Sequence, residues 1–87
     1  MGWSREEYLA GVLDPARKAG NVPPPDLYTR YGLPDGITDR AAFTRQVAEV
    51  VAFWRELKTR RTYARLADTL LTAHAELERA GRLTLES

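Results

Sequence analysis

The side chains best suited to chemistry are a single histidine, His74, with Glu78 four residues on, and a run of cations. A histidine and a carboxylate at this spacing share one helix face, where they could pass a proton or supply two ligands to a metal. Either task needs a further ligand or base facing the same cavity, and the chain has no second histidine and no cysteine. The pair therefore reads as a solvated contact on a helix surface. The remaining carboxylates stand singly among arginines, and no Ser-His-Asp set, phosphate-cradling glycine loop or metal box is present. The expectation is a non-catalytic protein with no cofactor, no metal site and no small-molecule substrate.

Arg55, Lys58, Arg60, Arg61 and Arg65 have only Glu56 among them as a carboxylate. Five cations within about three helical turns could grip phosphates, with Tyr63 available to stack on a base. Cations at the end of a helix also meet its negative dipole end favourably and keep an exposed tip soluble. Thirteen basic residues against twelve acidic ones give a net charge of +1, too little for bulk attraction to nucleic acid or anionic lipid. Nucleic-acid binding through residues 55–65 is thus the alternative to protein docking.

Eight aromatic residues are a large payload for 87 residues. Phe53 adjoins Trp54, so the two rings point about 100° apart on a helix, and not all eight aromatic rings can be central. Trp3, Tyr28, Tyr31 and Phe53 are the expected anchors for a partner protein or a second copy of the chain. The competing expectation is that a short helix near Pro25 to Gly32 packs Leu27 and Tyr31 over the long helices and covers Phe53.

The elements that must place these residues are helical. Ser4-Arg5-Glu6-Glu7 has the form of a capping box, followed by apolar positions Tyr8, Leu9, Val12, Leu13 and Ala16 at helical spacing. Pro15 predicts a bend, or a restart with Asp14 as N-cap, before the helix ends by Gly20. The proline run Pro23-Pro24-Pro25 forms an extended connector into a short helix closed by Gly32 and Leu33, and Pro34-Asp35-Gly36 is a turn. Thr38 is the expected N-cap of a long helix with the stripe Phe43, Val47, Val50, Trp54 and Leu57. A second stripe, Tyr63, Leu66, Leu70, Ala73, Leu77 and Ala80, ends at Gly81, before a short tail.

Phase decides whether the two stripes share a helix. At ~100° per residue a continuous rod would carry the first stripe through Arg61, Arg65 and Asp68, and the second stripe lies about 130° around the wheel. A break at Lys58 to Thr62, with Thr59 or Thr62 as the new N-cap, lets both stripes bury together in an αα-hairpin. An unbroken helix from Thr38 to Gly81 would span about 65 Å and need a second chain to cover it.

Several pieces of the sequence carry a resemblance: Leu13-Asp14-Pro15-Ala16-Arg17-Lys18-Ala19-Gly20, Pro24-Pro25-Asp26-Leu27-Tyr28-Thr29-Arg30-Tyr31 and Leu70-Leu71-Thr72-Ala73-His74-Ala75-Glu76-Leu77-Glu78. From Tyr8 through Thr84 the chain resembles N-terminal helical segments of large, poorly characterised actinobacterial multidomain proteins. The resemblance implies a cytoplasmic domain of a longer protein with a chaperone-associated or regulatory role. The His-Pro-Asp turn of a J-domain is absent. Eleven of the thirteen basic residues are arginine and alanine is abundant, which fits a high-GC bacterial genome.

The expected fold is all-α: one domain, 1–87, a three- to four-helix bundle built on a long antiparallel αα-hairpin, with helices near 4–19, 25–31, 39–59 and 62–80 and no β-sheet. A cysteine-free chain with no apolar run near the roughly 18 residues of a membrane span fits the cytoplasm. Its N-terminus lacks the layout of a signal peptide. The expected function is docking of a partner protein, or self-association, with no membrane involvement.

Overall fold

Three of the described helices begin at a side-chain cap, Ser4, Asp26 and Asp39. The computed structural model describes residues 3–34 and 36–83; Asp35 of the expected turn and tail residues 84–87 lie outside them. The described residues form four helices and no strand, an all-α bundle.

Helix α1 covers 5–18. Ser4 is extended and its hydroxyl accepts the Glu7 amide at 3.3 Å, satisfying one of the amides that have no partner within the helix. Its first and last parts, Arg5–Tyr8 and Asp14–Lys18, are α-helical, and Leu9–Leu13 between them is a π turn. Pro15 explains the π turn: its ring crowds the carbonyl of Gly11, and the wider turn relieves the crowding, with the Asp14 amide reaching back to Leu9. Asp14 keeps helical angles, so the helix is continuous and the expected restart at Asp14 does not occur.

Helix α2, Leu27–Arg30, is capped by Asp26, whose carboxylate accepts both the amide and the hydroxyl of Thr29. It closes in a Schellman motif. The Leu33 amide reaches the Tyr28 carbonyl at 2.8 Å, the Gly32 amide reaches Thr29, and Gly32 takes φ +63°. A Cβ at Gly32 would lie 2.7 Å from the Trp3 indole nitrogen, so this glycine also makes room for the N-terminal tryptophan.

Helix α3, Arg40–Leu57, starts one residue later than a Thr38 cap would require. Asp39 is the N-cap and accepts the Ala41 amide at 3.0 Å, where a carboxylate also meets the positive end of the helix dipole. A turn over 58–63 leads to α4, Ala64–Arg79. Neither Thr59 nor Thr62 caps α4. The Thr59 hydroxyl instead donates to the Glu56 carbonyl and closes α3, and Tyr63, at the cap position, makes no side-chain cap.

The helix pair folds back on itself. In one rod, Phe43 and Glu78 would be separated by about 52 Å, yet both line the same groove. The radius of gyration is 12.5 Å, close to the ~12 Å of a compact chain of this length. All of the first stripe is buried, joined by Val51 and Phe53. On α4 the buried arc is Leu66, Ala67, Leu70 and His74; Ala73 lies at its edge and Ala80 is exposed. Leu13, Val50, Leu57, Leu66 and Leu70 are almost wholly removed from water, each worth roughly 1.5–3 kcal/mol against the entropy of ordering the chain.

Candidate functional site

His74 is not a surface residue: it is 8% exposed and sits between Tyr31 and Trp54. Its Nδ1 lies 2.9 Å from the Tyr31 hydroxyl and its Nε2 lies 3.3 Å from Glu78 Oε1. The expected solvated surface contact is thus corrected: the buried face of α4 runs through Leu66, Ala67, Leu70 and His74, with Ala73 at its edge. Burial pushes the imidazole below the ordinary histidine range; Glu78 pulls it up and Arg55 pushes it down further. Burial pushes the Tyr31 hydroxyl up to about 12, so it stays protonated. Tyr31 then donates to Nδ1, leaving Nε2–H of a neutral imidazole to donate to Glu78.

A second buried polar chain lies beside the first. The Trp54 indole donates to the Tyr8 hydroxyl at 3.1 Å, and Tyr8 donates to the backbone carbonyl of Arg30. Burial raises the Tyr8 hydroxyl well above its usual range. Gln46 donates to the Tyr31 carbonyl at 3.1 Å. Helix α2 is only four residues long, too short to hold itself. Side chains from α1, α3 and α4 hold it by its last carbonyls and by the Tyr31 ring.

The four expected aromatic anchors separate into two kinds. Tyr31 (0% exposed) and Phe53 (5% exposed) are core residues and offer no surface. The cover over Phe53 is not the short helix: Trp3 and Tyr8 pack their rings on it at 5.9 and 6.3 Å, and the Arg5 guanidinium lies over its face at 5.2 Å. Tyr31 packs instead on Trp54, with ring centroids 5.1 Å apart. Trp3 is half-buried, and its indole N–H is enclosed without a hydrogen-bond partner. Tyr28 is exposed at 38%, as is Val22 at 55% in the connector before α2.

The five cations divide between the 58–63 turn with its flank and the groove. Lys58 pairs with Asp68 at 3.1 Å. Arg55 lines a groove beside His74 and Glu78. Arg60, Arg61 and Arg65 are exposed around the turn, with no carboxylate partner among the described residues. Tyr63 is not free to stack: its hydroxyl donates to Asp14 at 2.8 Å, which raises its pKa, and Arg17 covers its ring.

One concave feature that the aromatic and charge patterns did not reveal is a groove beside His74; a second, more open hollow lies on α4 along Asp68, Thr72 and Glu76. The groove holds about 350 Å³ between α3 and α4. Phe43, Val47 and Val51 form its apolar floor, Thr44 and Ala48 its α3 edge, and His74, Glu78 and Leu83 its other side. A signal was present, since Val51 continues the four-residue spacing of Phe43 and Val47, the first two members of the main stripe. Among the described residues, no three His, Asp or Glu side chains are grouped to hold a metal, and no helix is long and apolar enough to cross a membrane.

No family model, curated protein or solved structure matches this chain.

Proposed function

We propose that this chain is a cytoplasmic, non-catalytic helical module that docks a partner protein, within the longer type of protein its sequence resembles. The observation that supports this reading is the half-open groove along α3, with its floor of Phe43, Val47 and Val51 and its edge of Thr44 and Ala48. Apolar floors with small rim residues admit a partner's side chains and backbone, the usual form of helix and peptide recognition. The polar groups with chemical potential, Tyr8, Tyr31, Trp54 and His74, are spent on one another and on α2.

The test places a photo-crosslinking residue at Ala48 and, as a control, at Lys18 on α1 in the full-length protein. A protein captured from Ala48 alone is then purified and its binding measured by calorimetry. Saturable binding that Ala48→Arg abolishes is the expected result. Capture of nothing, or binding indifferent to Ala48→Arg, refutes the reading. Capture of a second copy assigns the surface to self-association. Salt-steep binding of nucleic acid, lost on changing Arg60, Arg61 and Arg65 to Glu, would favour the alternative function.

A further inference from the structure

Resting on the docking reading, we propose that the groove recognises a partner segment with apolar side chains on one face and a carboxylate beside them, and that Arg55 receives the carboxylate. Phe43, Val47 and Val51 follow one another at four-residue intervals, so they form a strip of α3 that reaches Arg55 about 18 Å from Phe43. A space of about 350 Å³ drawn out along that strip suits a row of side chains better than one compact ligand. Thr44 and Ala48 are exposed and small, so a second backbone can approach α3 closely.

Charge assigns the rest of the chemistry. Arg55 is exposed and has no carboxylate within ion-pair distance among the described residues. Two carboxylates lie near it, and neither pairs with it. Its sequence neighbour Glu56 pairs with Arg5 at 3.1 Å, while Glu78, which also lines the groove, keeps its charge beside a neutral His74, so the acidic preference is confined to a carboxylate seated directly on Arg55. An unpaired guanidinium at the end of an apolar strip favours an acidic segment, by a planar two-point contact, and repels a basic one.

A display library of random 12-residue peptides, panned on the immobilised full-length chain and on its Arg55→Glu and Ala48→Arg variants, tests this. Both positions are exposed, and unchanged thermal melting confirms that the variants fold. Peptides enriched on the wild type should carry Asp or Glu within four residues of Leu, Ile or Phe, and Arg55→Glu should exchange the acidic residue for a basic one. A selected peptide remade as a fluorescent probe should lose about three- to fivefold in affinity on Arg55→Ala, as for a partly exposed ion pair. Arg55→Lys should regain part of that loss, and Ala48→Arg should abolish binding. Enrichment without acidic residues, enrichment unaltered by Arg55→Glu, or no enrichment overturns the proposal. Peptides lost on Ala48→Arg but free of acidic bias overturn the proposal and leave the docking reading standing, since that reading fails on the Ala48 crosslinking and calorimetry results. A doubling of the chain's mass that Ala48→Arg reverses gives the groove to a second copy and also overturns the proposal.

Discussion

The Tyr31 hydroxyl and His74 Nδ1, 43 residues apart in sequence, meet at 2.9 Å inside the core and tie the shortest helix to the last one. Neither group has another way to be satisfied at that depth. Tyr31→Phe removes the donor and leaves a buried nitrogen unpaired, a loss expected to cost about 1–3 kcal/mol. The same change withdraws a hydrogen bond that favours neutral imidazole, so the His74 pKa should rise, read by NMR titration of the ring protons. An unchanged or lower value would show that Tyr31 does not set the tautomer.

Stability should depend on pH through His74. Its folded pKa is depressed, so as pH falls through about 6.5 the unfolded chain takes the proton first. The contribution is complete above that pH and is lost as pH drops through the lower folded value. Urea midpoints measured from pH 8 to pH 5 should therefore decline on the acid side, and His74→Gln should flatten that decline.

Trp54 is fully buried, stacks near Tyr31 and donates to Tyr8. Trp54→Ala should cost about 3–5 kcal/mol, enough to leave much of the chain unfolded at 25 °C by circular dichroism. Tyr8→Phe, which keeps the ring but strands the indole donor and the Arg30 carbonyl, should cost about 1–3 kcal/mol.

Two glycines with similar backbone angles should respond differently to alanine. Gly81 has φ +67° and open space around a Cβ, so Gly81→Ala carries only left-handed strain, about 1–2 kcal/mol. Gly32 has φ +63°, and its Cβ would strike the Trp3 ring. Gly32→Ala should cost more than Gly81→Ala in thermal melts and shift the tryptophan emission, since Trp3 must move.

The Lys58 and Asp68 side chains are about half and two-thirds exposed. Lys58→Ala should change stability by less than about 1 kcal/mol, measured by urea unfolding. A larger loss would show that this pair helps to hold the 58–63 turn closed.

Much of the architecture was legible in the residues themselves. Three- and four-residue spacing marked the three longer helices, the proline run and the Gly32-Leu33 end marked the short one, Gly81 marked the last end, and the mismatch of stripes across Lys58 to Thr62 pointed to a turn without a glycine or proline. These are properties of a helix and its own neighbours, set by 3.6 residues per turn and by local hydrogen bonding. The π turn was only half legible, because Pro15 announces a disturbance but not which geometry relieves it.

What covers what was decided by tertiary structure. Phe53 looked like a surface ring until Trp3 and Tyr8 packed on it, Tyr31 until Trp54 and His74 enclosed it, and His74 until α2 brought it a hydroxyl. The groove likewise exists only because α4 returns along α3 and brings His74 and Glu78 to the groove that Phe43 and Val51 also line. Periodicity tells which face of a helix is apolar, but burial and hydrogen-bond partners depend on the positions of other helices 20 to 50 residues away, and those follow from packing the whole chain at once.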